Sequence, residues 1–65
     1  MKCWDCNKHG FVEMPVEMAA FLDDIAEVCK KHGLCLSRED LHGAFLVEEF
    51  LADDIEWLTG AMKNY

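Results

Sequence analysis

The stretch Cys29-Lys30-Lys31-His32-Gly33-Leu34-Cys35 most constrains what this chain can fold into. Its basic residues suit the carboxyl end of a helix, where the helix dipole favours positive charge. Gly33 can adopt the left-handed conformation that closes a helix, and Leu34 supplies the apolar contact that often accompanies such an end. The sequence therefore predicts that a helix ends here and that the chain then turns.

A helix over about residues 15–32 precedes this end. Pro15 is tolerated there because proline fits the first turn of a helix. Apolar residues recur at spacings of three and four, and charged residues lie off that face, as in an amphipathic helix. The apolar positions are Met18, Phe21, Leu22, Ile25, Val28 and Cys29. We expect this face to pack on the core.

The chain after Gly33 allows two interpretations. Residues 34–37 alternate as a half-buried strand does, and residues 44–49 begin with a short apolar run; the polar, glycine-containing segment between them suits a hairpin connection. Alternatively, Ser37 caps one long helix with Gly43 in its interior, at a cost of about 1 kcal/mol relative to alanine. We prefer the hairpin, which pairs residues 34–37 with 44–49.

Helical spacing returns between Ala52 and Asn64, where Ile55, Leu58 and Met62 share one face. The predicted architecture is therefore a single α+β domain over residues 1–65: a helix, a two-stranded β-hairpin and a second helix, with an N-terminal Cys-x-x-Cys knuckle. The alternative is an all-α two-helix hairpin. A chain this short buries a small core, and a metal ion or a second subunit often helps it to fold.

Two pairs of residues have the spacing of zinc ligands. Cys3-x-x-Cys6 lies near the amino terminus, and Cys29-x-x-His32 lies in the last turn of the predicted helix. A closed site with four such ligands is structural, because it leaves no position open for a substrate. We predict one structural zinc ion held by these pairs, in which Cys35 or His9 can replace His32. The alternatives are free thiols that pack as small apolar side chains and, less favoured without an export signal, disulfides.

Negative charge is concentrated in the second half of the chain. The net charge of −7 divides into −2 for residues 1–33 and −5 for residues 34–65. An acidic chain repels phosphate backbones, so we expect no direct nucleic-acid binding and favour a basic protein partner. The residues that we expect to bind this partner are Glu48, Glu49, Asp53, Asp54, Glu56 and Trp57. The alternatives are a solvated acidic surface and a Trp57 that packs in the core.

Catalysis has little support in the sequence. Glu39, Asp40 and His42 are suited to binding a divalent ion or to acid–base chemistry, but Ser37 is the only candidate nucleophile near them. No stretch approaches the length of a membrane span, and the amino terminus lacks the apolar run of a signal peptide. We therefore expect a cytoplasmic protein that is not an enzyme and does not bind a membrane.

The stretch from Leu36 to Leu58 resembles small uncharacterised accessory proteins of bacteriophages and prophages. Three segments carry this resemblance: Ser37-Arg38-Glu39-Asp40, His42-Gly43-Ala44-Phe45 and Ile55-Glu56-Trp57-Leu58. The resemblance implies a cytoplasmic protein expressed in a bacterial host cell, and such families include many inhibitors of host proteins. It supports a hairpin followed by a helix and assigns no role to any residue.

The predicted function is that of a non-catalytic interaction protein, an inhibitor or modulator whose acidic face occupies a basic surface of a host protein. Hydrophobic residues make up 52% of the chain, which is a larger share than one small core can bury. We therefore also expect a homodimer or another homo-oligomer. Two alternatives stay open. One is a structural zinc-binding adaptor; the other is an oligomer that binds a small ligand or nucleotide near Lys30, Lys31, Arg38 and His42.

Overall fold

The computed structural model describes residues 1–38 and 43–65, which form two antiparallel β-hairpins and two α-helices. The elements in chain order are β1 (Lys2–Asp5), β2 (Gly10–Glu13), α1 (Val16–His32), β3 (Leu34–Arg38), β4 (Phe45–Glu49) and α2 (Ala52–Thr59). The mixed α+β class is confirmed. The predicted order of elements is wrong, because a β-hairpin precedes the first helix.

The N-terminal hairpin is closed by the side chain of Asp5. Its Oδ1 atom accepts the backbone N–H groups of Asn7 and Lys8 at 2.8 and 3.1 Å, and the turn ends at His9 with a φ of 55°. An aspartate at the start of a turn favours this arrangement, because its short side chain reaches backbone N–H groups two and three residues ahead. The Cys-x-x-Cys segment thus runs from a strand into a tight turn.

Helix α1 ends as the sequence predicts. Gly33 has a φ of 67° and a ψ of 22°, and its backbone N–H donates to the carbonyl oxygens of Cys29 and Lys30. The chain enters β3 at the next residue, Leu34. A left-handed glycine therefore joins a helix to a strand with no intervening loop.

The C-terminal hairpin confirms the preferred interpretation of residues 34–49. Leu34 pairs with Glu49, Leu36 with Val47 and Arg38 with Phe45. The all-α alternative is wrong, since residues that it places in one long helix form two strands. The predicted acid–base group of Glu39, Asp40 and His42 lies outside the described residues.

Helix α2 is shorter than predicted, because it ends at Thr59 and not near Asn64. The chain turns at Gly60, and the residues after it run beside β1. The backbone N–H of Lys63 donates to the carbonyl oxygen of Trp4, and that of Cys6 donates to the carbonyl oxygen of Lys63, both at 2.8 Å. These bonds form a short parallel bridge. Lys63 Nζ also lies 3.6 Å from Oδ2 of Asp5.

The core is small. Cys3 from β1 packs with Met18 and Leu22 from α1, and three partly buried residues surround them: Val12, Met14 and Ala61. Cys29 and Cys35 are buried nearer the C-terminal hairpin. Many large apolar side chains are exposed. Among the described residues, neither helix has the length and apolar character needed to cross a membrane.

Candidate functional site

One exposed face of α2 combines acid with tryptophan. Asp53, Glu56 and Trp57 are spaced by three and four residues, so they share a side of the helix. All three are exposed, and the Trp57 side chain keeps 42% of its surface accessible. The helix contains three acidic residues and no basic one. We call Asp53, Glu56 and Trp57 the acidic α2 face.

The other predicted partner-binding residues lie elsewhere. Glu49 is exposed at the end of β4, whereas Glu48 and Asp54 are half-buried. Glu48 is opposite Cys35 in the hairpin register, and Asp54 contacts the Cys35 thiol directly. Of the six residues expected to bind a partner, three share one exposed side of α2, and Asp54 borders a depression with Trp57, whereas Glu48 and Glu49 lie on β4.

Trp57 is exposed at the side of α2 that borders the C-terminal hairpin. It lines a shallow depression together with Ser37 and Arg38 of β3 and Asp54 of α2. Its 42% exposure leaves part of the side chain accessible and part covered. Trp57 is absent from the core cluster among the described residues, and its role as an interface anchor stays a prediction.

Cys35 joins α2 to the C-terminal hairpin. Its side chain is 1% exposed, and its Sγ atom lies 3.1 Å from Oδ2 of Asp54 and 3.2 Å from the carbonyl oxygen of Glu49. The same sulfur accepts the backbone N–H of Leu51 at 3.3 Å. Burial raises the pKa of the Cys35 thiol, and the hydrogen bond to Asp54 acts in the same direction. A neutral thiol of this kind is a structural hydrogen-bonding group and a poor nucleophile.

The predicted zinc ligands are distributed over the fold. Cys3 is buried in the core, Cys6 is half-buried in the first turn, Cys29 is buried on α1 and His32 is exposed at its end. All four cysteines are free thiols. Over residues 1–38 and 43–65, no three His, Cys, Asp or Glu side chains form a group that could hold a metal ion. The structural zinc ion stays a prediction.

An open apolar groove lies between α1 and the C-terminal hairpin. It has a volume of about 630 Å³, and eight of the ten described residues that line it are apolar. The apolar residues are Phe21, Ile25, Val28, Cys29, Leu34, Cys35, Leu36 and Val47; the others are Asp24 and His32. Among the described residues, Lys30, Lys31 and Arg38 do not line it, so none of these three cations is in position to bind a nucleotide phosphate in the groove.

This groove was not expected from the sequence, because the apolar face of α1 was assigned to the core as a whole. The structure divides that face into two stripes. Met18, Leu22 and Cys29 are buried, whereas Phe21 and Val28 remain 64% and 57% exposed. The available indication of this groove in the sequence was an apolar face of α1 that is too wide for a small core to cover.

Comparisons with protein-family models, with curated proteins and with solved structures give no match for this chain.

Proposed function

We propose that this protein is a non-catalytic interaction protein that binds a basic surface of a partner protein through its acidic α2 face. The observation that supports this function is an exposed tryptophan beside two exposed carboxylates on one helix face. Tryptophan is enriched among the residues that dominate binding energy, and hot spots lie near the centre of an interface. The function therefore rests on Trp57 as the anchor.

The carboxylates give this surface its preference for a basic partner. Asp53 and Glu56 place negative charge beside the indole, and the overall charge of −7 adds a long-range attraction for basic proteins. Complementary charge of this kind raises the association rate and excludes acidic competitors. Arg and Lys side chains of the partner would also stack on the Trp57 ring, which attracts cations.

The consequence for the partner is occlusion of its basic surface. A chain of 7.5 kDa that covers such a surface prevents other ligands from using it. The resemblance to accessory proteins of phages and prophages supports an inhibitor or modulator of a bacterial host protein. No step of this function requires a cofactor or a reaction.

The test compares matched variants in affinity capture from a bacterial lysate. Trp57→Ala, and separately the double variant Asp53→Asn/Glu56→Gln, are each expected to reduce a specifically captured protein at least about tenfold, because interface hot spots contribute about 2 kcal/mol or more. The control is Asp23→Asn/Glu27→Gln, which removes the same charge from exposed residues of α1. This control is expected to retain the captured protein.

Two results would contradict the proposal. Equal capture by the α2 variants and the wild-type protein would show that the acidic α2 face does not bind. Equal loss in the α1 control would show that net charge alone, and not this face, governs the interaction. Circular dichroism of each variant verifies that it is folded before capture is compared.

A further inference from the structure

Strand β4 has an uncovered outer edge. It pairs with β3 on one side, and among the described residues no backbone group bonds to its other side. Phe45, Leu46 and Val47 are 70%, 40% and 67% exposed, so both faces of the strand are also open. Exposed apolar edge strands are templates for pairing with another strand, and monomeric proteins usually block them.

The hydrogen bonds fix which groups of β4 point outward. Phe50 N–H donates to the carbonyl oxygen of Gly33 at 2.9 Å, which makes these two residues a hydrogen-bonded pair. Because hydrogen-bonded and non-bonded pairs alternate along an antiparallel ladder, Glu48 and Leu46 also bond toward β3. The backbone N–H and C=O groups of Phe45 and Val47 and the N–H of Glu49 are therefore directed away from β3, whereas the Glu49 carbonyl oxygen accepts the Cys35 thiol at 3.2 Å.

We propose that β4 pairs in antiparallel fashion with β4 of a second copy of this chain, about a two-fold axis at Val47. The two hairpins then form one four-stranded sheet. Val47 exchanges both backbone hydrogen bonds with Val47 of the second copy. Phe45 lies opposite Glu49 of the second copy, and Leu46 lies opposite Glu48. The Phe45 carbonyl oxygen of one copy then accepts the Glu49 N–H of the other, while the Glu49 carbonyl oxygen also accepts the Cys35 thiol of its own copy.

Side-chain chemistry selects this register. With the axis at Val47, each glutamate lies opposite an apolar residue. With the axis at Glu49, two Glu49 carboxylates would face each other, and like charges directly opposite destabilise a sheet. With the axis at Phe45, the overlap of the two strands would be shorter. The axis at Val47 is the one that pairs all five residues of β4 without opposing like charges.

The same register also extends the apolar surface of the hairpin. Leu36 lies opposite Val47 within one copy, so the four-stranded sheet has a continuous row of Leu36, Val47, Val47 and Leu36 on one face. Leu36 and Val47 both line the apolar groove, so pairing brings the two grooves to the same side of the sheet. Two-stranded sheets are marginally stable alone, and four strands with an apolar face are more stable.

A second copy is the favoured occupant because the edge is self-complementary. One sequence supplies the outward groups, the apolar centre and the flanking glutamates of both strands, as an isologous interface requires. The interface includes none of Asp53, Glu56 and Trp57, so dimer formation and partner binding can fail independently. Each copy carries a charge of −7, so added salt should strengthen the dimer by screening repulsion.

Sedimentation equilibrium at about 50 mM and about 500 mM salt tests the dimer. The wild-type protein is expected to approach twice its chain mass of 7.5 kDa, with a larger dimer fraction at high salt. Val47→Lys places two like charges across the two-fold axis and is expected to be monomeric. Val16→Lys changes the same residue type at an 84% exposed position outside β4, and is expected to remain dimeric.

A second variant tests the backbone pairing without changing the charge. Val47→Pro removes an N–H that points away from β3, and proline is tolerated on the outward side of an edge strand. This variant is expected to be a folded monomer by circular dichroism and sedimentation. A monomeric wild-type protein at both salt concentrations would overturn the proposal. A Val47→Lys protein as dimeric as Val16→Lys would overturn it as well.

Discussion

At the scale of single residues, Asp5 connects two distant parts of the chain. Its side chain is 2% exposed, closes the first turn through two backbone N–H groups and lies beside the Lys63 ammonium group. It therefore holds the N-terminal hairpin and the C-terminal residues together. The hydrogen bond from the Lys8 backbone N–H is the main cause of the lowered pKa of the Asp5 carboxyl. Asn7 and Lys63 also lower this pKa, whereas burial raises it.

The lowered pKa of Asp5 predicts how stability depends on pH. The folded protein binds this proton less readily than the unfolded chain, whose aspartate titrates near its ordinary value of 3.8. The charge of Asp5 therefore stabilises the fold fully above that value, and its contribution is lost as pH falls through the lowered pKa. Asp5→Asn retains an oxygen that accepts the two N–H groups and removes only the charge.

Urea unfolding of the wild-type protein and Asp5→Asn, between about pH 7 and about pH 2, measures this contribution. The wild-type protein is expected to be more stable at neutral pH, and the difference should disappear at the acid end. Asp23→Asn removes one exposed negative charge and serves as the control for net charge. If the wild-type protein is more stable than Asp5→Asn by the same free energy of unfolding at every pH in this range, the Asp5 charge is not the source of the difference.

At the scale of elements, the junction of α1 and β3 depends on one glycine. Gly33 has a φ of 67°, and no heavy atom lies within 4 Å of the position that a Cβ would take. Alanine there meets backbone strain and no steric obstacle, so Gly33→Ala is expected to lower the free energy of unfolding by about 1–2 kcal/mol. Urea unfolding followed by circular dichroism measures the loss.

Gly10→Ala is the matched control for this substitution. Gly10 also has open space where the methyl group of alanine would lie, and its φ is outside the left-handed region. Its replacement is expected to leave the stability unchanged or to raise it by up to about 1 kcal/mol, because alanine restricts the unfolded chain. A loss at Gly10 equal to that at Gly33 would contradict the assignment of the strain to the helix end.

Helix α1 and the C-terminal hairpin could be predicted from the sequence because local features agree there. The amphipathic spacing, the basic last turn and Gly33 all indicate the helix and its end, and the apolar run from Phe45 to Val47 indicates a strand. The N-terminal hairpin is missing from the predicted architecture, which has a Cys-x-x-Cys knuckle there. Its first strand is four residues long and contains Cys3, whose zinc-ligand spacing favoured a knuckle.

The end of α2 shows a different limit of sequence-based prediction. Apolar spacing continues to Met62, but the helix stops at Thr59 because the following residues bond to β1. The contact between these residues and β1 joins distant parts of the chain, so no local sequence pattern predicts it. The contact of Asp54 with the Cys35 thiol is of the same kind, because it joins α2 to β3 across residues distant in the sequence.

At the scale of the whole molecule, the chain separates two surfaces of different chemistry. The acidic α2 face lies on the last helix, and the apolar edge and groove lie on β4 and α1. The sequence indicated that acid is concentrated in the second half of the chain, but it did not indicate the apolar edge or the groove. Two separate surfaces fit our proposals that the protein assembles with itself through one and binds a partner through the other.

The dependence of partner binding on salt tests the central claim most directly. Surface plasmon resonance with the captured partner, at about 50 mM and about 500 mM salt, compares the wild-type protein with Asp53→Asn/Glu56→Gln. The wild-type affinity is expected to fall at least about tenfold as salt rises, because screening removes the attraction to the carboxylates. The variant is expected to bind more weakly and to respond less to salt. An affinity that is the same at both salt concentrations, for both proteins, would contradict binding through the acidic α2 face.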